Sequence, residues 1–254
     1  MNISIRIIIN MFLLLSSLVL FVSCSKTVQK DEVFDPDKYL AKADKLIADK
    51  EYEEARKILL EVKNRETAKK YAPIAQLKIA ESYIKDSDFE IGVAEYRKFL
   101  ELYPDNQYAS YAQYQIAMAY FSQIESPDRG SGAAKKALKE FIRLKESYPR
   151  NPYREVVELR IEKSRNIIAD GEFMIAEFYF KKESYTAAIK RLEGLMVQFP
   201  DYKRADETLL MLGKVYKAAG NKEKAAEAFK LFAEKYPSSR FLAEANKLEA
   251  ESRK

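Results

Sequence analysis

Few side chains of this chain could do chemistry, and what is missing narrows the choice first. Its 254 residues contain no histidine and one cysteine, Cys24. An imidazole base, a Ser-His-Asp or Cys-His nucleophile and a His-ligated metal are therefore excluded, as are an intrachain disulfide and a thiolate zinc cluster. Acid pairs such as Glu53-Glu54 lie beside basic residues on an amphipathic stretch, with no sign of a cleft around them. The reading is a non-enzyme with no cofactor and no metal. What remains is recognition chemistry. Arg191 offers a planar guanidinium that can grip a carboxylate with two parallel hydrogen bonds. Tyr71, Tyr108, Tyr111 and Tyr114 are aromatics that could hold an extended apolar peptide. Segment 133–170 carries ten Lys or Arg against six Asp or Glu, a balance that suits a solvated face or an acidic partner.

The elements that must position these groups begin after an export segment. Residues 1–23 hold a short stretch with Arg6 and then an apolar run from Ile7 to Val22, which reads as a signal peptide rather than part of the fold. The run closes in Phe21-Val22-Ser23-Cys24, and a small residue directly before a Cys resembles the lipobox of bacterial lipoproteins. That resemblance implies lipidation of Cys24. Ser25 in place of Asp implies sorting to the outer membrane, lipid-anchored and facing the periplasm, where nucleic acid is not an expected partner. Residues 24–36 are polar and aperiodic and read as lipid anchor and tether.

Beyond the tether the chain repeats itself. Ala43, Ala80, Ala117, Ala176 and Gly213 follow one another at steps of 37, 37, 59 and 37. Ala55, Gly92, Ala137, Ala188 and Ala225 follow at 37, 45, 51 and 37. The steps of 45 and 51 exceed 37 by 8 and 14, and the step of 59 by both. Leu46, Tyr83, Tyr120, Tyr179 and Tyr216 come three residues after the first series. Tyr103-Pro104, Tyr148-Pro149, Phe199-Pro200 and Tyr236-Pro237 close four of the repeats. Small residues let paired helices approach, large ones fill the space between neighbours, and proline ends each pair.

In the last repeat Leu212-Gly213, Tyr216, Ala225, Phe229 and Pro237 resemble the tetratricopeptide repeat (TPR). The fold class expected is all-α: a tetratricopeptide-repeat superhelix, or α-solenoid, of about five helix pairs plus a C-terminal capping helix. The repeats fall at roughly 37–67, 71–104, 108–149, 152–200 and 204–237. Residues 37–121 form an N-terminal TPR region and 122–254 a C-terminal one. The 8 extra residues read as a polar loop near Ser122–Gly132. The 14 extra residues read as a lengthened helix near 152–182, with Gly171 a potential bend. Ser238 is expected to cap a final helix over 239–252.

A lipobox followed by five degenerate repeats, one lengthened, is similar to the BamD family, lipoproteins of the machinery that assembles β-barrels in the outer membrane. The stretch carrying the likeness runs from Glu172-Phe-Met-Ile-Ala-Glu-Phe-Tyr-Phe through Tyr185-Thr-Ala-Ala-Ile-Lys-Arg-Leu-Glu-Gly194 to Phe199-Pro200-Asp201. The resemblance implies that Arg191, with Glu193 beside it, binds a POTRA domain of a BamA-like barrel protein, Arg191 pairing with an acidic residue there. It implies other assembly lipoproteins as partners. It also implies that the first repeats receive C-terminal segments of unfolded outer-membrane proteins, with Arg65, Tyr71, Tyr108 and Tyr111 as groove candidates. Where the family carries Arg-aromatic-Pro, this chain reads Arg65-Glu66-Thr67. The other reading is a general periplasmic TPR adaptor, Tol-associated or cell-wall related, disfavoured because Lys26–Pro36 leaves no room for a coiled coil.

Overall fold

The computed structural model describes residues 34–253. The signal segment, Cys24 and most of the expected tether lie outside the described residues. Asp37–Lys254 groups as one compact body. Among the described residues the secondary structure is helical, in five antiparallel pairs and a last helix. The pairs are α1 (Pro36–Ala48) with α2 (Tyr52–Asn64), α3 (Ala72–Lys85) with α4 (Phe89–Leu102), and α5 (Ala109–Phe121) with α6 (Pro127–Ser147). Then come α7 (Arg154–Lys181) with α8 (Tyr185–Gln198), α9 (Ala205–Ala218) with α10 (Lys222–Lys235), and finally α11 (Leu242–Ser252). A short 3-10 stretch, Glu66–Tyr71, joins the first two pairs. Among the described residues no helix is long and apolar enough to cross a membrane.

The spacing of 37 is a packing period. Ala43, Ala80, Ala117, Ala176, Ala55, Ala137, Ala188 and Ala225 are all fully buried. The two glycines of the series show why no larger residue stands there. A Cβ on Gly213 would sit 2.5 Å from the Phe229 ring, and one on Gly92 would sit 2.5 Å from Ile84 Cδ1. Such contacts are closer than carbon atoms can approach, so the paired helices touch at these points.

The turns repeat as strictly as the core. Lys50, Ser87, Glu183 and Gly220 all have left-handed backbones, with φ of 65°, 69°, 57° and 80°. In each turn the next residue's N–H returns to the carbonyl of Leu46, Tyr83, Tyr179 or Tyr216, the residues of the apolar series. This is the Schellman closure, which normally takes glycine at the left-handed site. Only one of the four is glycine. The aromatic-proline pairs end the second helices: Tyr103, Tyr148, Phe199 and Tyr236 each donate their N–H four residues back, and the following proline cannot continue the helix.

Three expectations change. The expected loop at 122–132 is mostly helix: α6 already starts at Pro127, a residue suited to a first turn because its missing N–H has no helical partner. Ala134 and Leu138, which follow the added length, belong with Ile167 and Ile168 of α7 to one hydrophobic cluster, and the added residues extend that packed helix backward by about two turns. Helix α7 runs continuously for 28 residues through Gly171. The last helix starts at Leu242 rather than 239, and Ser239 stands where Ser238 was expected. Its Oγ donates to Asp206 Oδ2 at 2.6 Å and accepts from the Phe241 N–H.

Helix α7 joins two cores. Its Val157 and Ile161 pack with Phe141 and Leu144 of α6, and its Ile168, Phe173 and Ala176 pack with α8 and α9. Because α6 covers the first half, two positions near the far end are uncovered. Ile175 and Phe178 are 38% and 56% exposed, whereas their counterparts Ile79, Ile116 and Leu212, and Ser82, Ala119 and Val215, are buried.

Candidate functional site

The surroundings of Arg191 are best built from the repeat itself. Four residues before the small position of the first helix, and three after that of the second, the middle repeats place a polar pair. In the second repeat Gln76 Nε2 donates to the Glu95 carboxylate at 2.7 Å and to its backbone carbonyl at 3.0 Å. In the third, Gln113 Nε2 donates to the Glu140 carboxylate at 2.9 Å and its carbonyl at 3.2 Å. Both glutamines are buried. The Glu140 carboxylate also accepts from Arg97 at 2.8 Å and has Arg143 at 3.8 Å. Each pair clamps a first helix to its second, the buried amide nitrogen of each glutamine being satisfied by two acceptors.

In the fourth repeat the same two places hold Glu172 and Arg191. Arg191 Nη1 donates to Glu172 Oε2 at 2.7 Å, and Lys135 Nζ of α6 stands 3.6 Å from Oε1. The acid has moved to the first helix and a cation stands on the second. The pair is also more open than that of the third repeat: the Arg191 side chain is 44% exposed, against 5% for Glu140. Beside it a groove of about 420 Å³ is lined by Tyr179, Lys190, Gly194 and Gln198. A guanidinium held by one nitrogen keeps its Nε–Nη2 edge for a second carboxylate. Glu193 turns the other way and accepts the Tyr216 hydroxyl at 2.5 Å. Burial and this carboxylate push the Tyr216 phenol up to about 12. The Arg191–Glu193 couple expected from sequence is thus two separate contacts, because residues two apart on a helix face opposite sides.

The four groove candidates fall in two places, Arg65 and Tyr71 at the ends of the 3-10 stretch and Tyr108 and Tyr111 one turn apart at the start of α5. Arg65 ends α2 and pairs with Glu61 at 2.8 Å. Tyr71 precedes α3 and donates to Asp37 at 2.8 Å, with Lys70 over its ring. Tyr108 precedes α5 and is exposed. Tyr111 is half-buried against the core of the second repeat, and burial raises its phenol above the ordinary range. Tyr114 stacks on Tyr153 at 4.3 Å. Among the described residues no cluster of three or more acid, His or Cys side chains could hold a metal.

Sequence reasoning passed over Gln76, Gln113 and Glu172, although their steps of 37 and 59 repeat those of the small series. It also missed a network around buried Asp170, which accepts from Tyr202 at 2.5 Å and Lys203 at 2.9 Å. Arg204 stands 3.8 Å from the same carboxylate and lies over the Phe173 ring.

Comparison with known proteins accords with this architecture. The outer-membrane protein assembly factor BamD of Neisseria meningitidis serogroup A is 25% identical over 233 residues, 86% of this chain and 87% of its own. BamD of Vibrio cholerae is 27% identical over 160 residues, 59% and 66% of the two chains. BamD of Rickettsia prowazekii is 25% identical over 203 residues, 80% and 81% of the two chains. A family model described as an outer membrane lipoprotein, YfiO, matches residues 34–231. It takes in all five helix pairs up to the last turn of α10, and the chain belongs to the YfiO family.

Proposed function

We propose that this chain is a non-enzymatic scaffold of the outer-membrane β-barrel assembly machinery, anchored by a lipid on Cys24 and facing the periplasm. It binds the POTRA region of a BamA-like barrel protein through the open face of the fourth repeat, and helps deliver the C-terminal segments of unfolded outer-membrane proteins through the first repeats. Other assembly lipoproteins join the same complex. The observation that carries the reading is Arg191, a half-exposed guanidinium with a free edge on a rigid helix, at the place where the family likeness is strongest. The mechanism is binding alone, because a rigid solenoid presents separate faces to separate partners without reorganising.

Co-purification tests it. The chain is tagged at its C-terminus, extracted from membranes in mild detergent, and its companions are identified by mass spectrometry beside an Arg191→Glu variant. Recovery of a POTRA-bearing barrel protein, lost in the variant, is the expected result. Recovery of Tol or cell-wall proteins alone would replace this reading with that of a general envelope adaptor. Replacing Cys24 with alanine is expected to release the chain from the membrane fraction.

A further inference from the structure

Glu172 stands out because the repeat supplies its own controls. The second and third repeats place a neutral glutamine there, bonded to a carboxylate that in the third is buried with both oxygens engaged. The fourth repeat alone of these three reverses the charges and opens the pair to solvent. A helix clamp has no need of that reversal, since Gln with Glu closes the same gap twice in this molecule. We infer that Glu172 is the positioning residue for Arg191: it fixes one edge of the guanidinium so that the other edge meets a partner's carboxylate already oriented. This inference rests on the proposed binding of a POTRA region.

The physical case has three parts. A free arginine loses rotamer entropy on being immobilised, and a side chain already held before binding has less to lose. Glu172 holds Nη1, which leaves the Nε–Nη2 edge, a fork that matches a carboxylate. Lys135 sits on the second oxygen of Glu172, so the acid is shared by two cations and the cluster stays net positive toward an incoming acid. Glu172 itself is only 20% exposed. Its two oxygens are taken by Arg191 and Lys135, and so it acts through Arg191.

A double-mutant cycle on the purified full chain separates positioning from mere support. Affinity for the POTRA region of its barrel protein is measured for the wild type, Glu172→Ala, Arg191→Ala and the double variant. Glu172→Gln, whose side chain already fits this place in two other repeats, is measured beside them. The expectation is a loss of about tenfold for Glu172→Ala, with no further loss when Arg191 is already alanine. Glu172→Gln, which keeps an acceptor for Nη1, stays within about threefold of wild type, and thermal unfolding of all variants shifts little. An unchanged or tighter Glu172→Ala would overturn the inference, because Glu172 would then be idle or a competitor for Arg191. An equal loss in the Arg191→Ala background would reduce it to helix support. No binding by the wild type would instead refute the functional reading.

Discussion

The third and fourth repeats solve one problem in two ways. Each must tie a first helix to a second through a polar pair at matching positions. The third does so with Gln113 and Glu140 out of water, every oxygen of the acid engaged. The fourth does so with Glu172 and Arg191 at the surface, with donor capacity left over. The same geometry is mortar in one repeat and an open valence in the next. The difference lies in charge sign and solvent access, which a repeat can alter without altering its backbone.

The sharpest way to break this comparison is to remove the acid from each. Glu140→Ala strands Gln113 and leaves Arg97 without its carboxylate, and is expected to cost about 3 kcal/mol in urea unfolding. Glu172→Ala, at the open clamp, is expected to cost about 1 kcal/mol or less. Equal losses would mean that both clamps serve stability alone. The uncovered end of α7 gives a second contrast. Val215→Ser in the fifth repeat is expected to cost about 2–3 kcal/mol, while Phe178→Ser at the matching position of the fourth stays within about 0.5 kcal/mol.

Smaller effects sharpen the picture at the turns. Ser87→Gly and Glu183→Gly relieve a left-handed backbone on residues with a Cβ and are expected to stabilise by about 0.5–1 kcal/mol each; Gly220→Ala runs the other way by about 1 kcal/mol. Thermal melts would read all three. The smallest effect is alkaline. Folding raises the Tyr216 phenol from the ordinary 10 to about 12, so the neutral form is favoured in the folded chain. Its contribution is complete below pH 10 and fades as pH climbs toward 12. A melting temperature followed across that window should fall less steeply in Tyr216→Phe.

How much of this the sequence disclosed depends on what each residue type advertises. Alanine, glycine and tyrosine recurring inside apolar stretches announce close helix packing, so the five pairs and the long helix were legible. Proline, serine and glycine announce a loop, and at 125–132 they misled, because Pro127 opens a helix that continues into the packed Ala134 and Leu138. Gln76, Gln113 and Glu172 announce only a solvated surface. Their role appears once the period is laid over them and the distances to Glu95, Glu140 and Arg191 are known. Arg191 was named through family likeness, whereas its in-chain partner Glu172 required coordinates. The four groove candidates, two at the ends of the 3-10 stretch and two at the start of α5, were named through family likeness.

The extra length of α7 has a consequence in rotation. A helix advances about 100° per residue, so 14 added residues turn it by about 1400°, within about 40° of four complete revolutions. The second half of α7 therefore points almost as it would have without the addition, and the azimuth of Glu172 is passed on nearly unchanged across about 21 Å of new helix. Removing or adding two residues would swing that half by about 200° and carry Arg191's partner to the opposite side. The helix behaves as a keyed shaft, whose permissible lengths come in steps of whole turns.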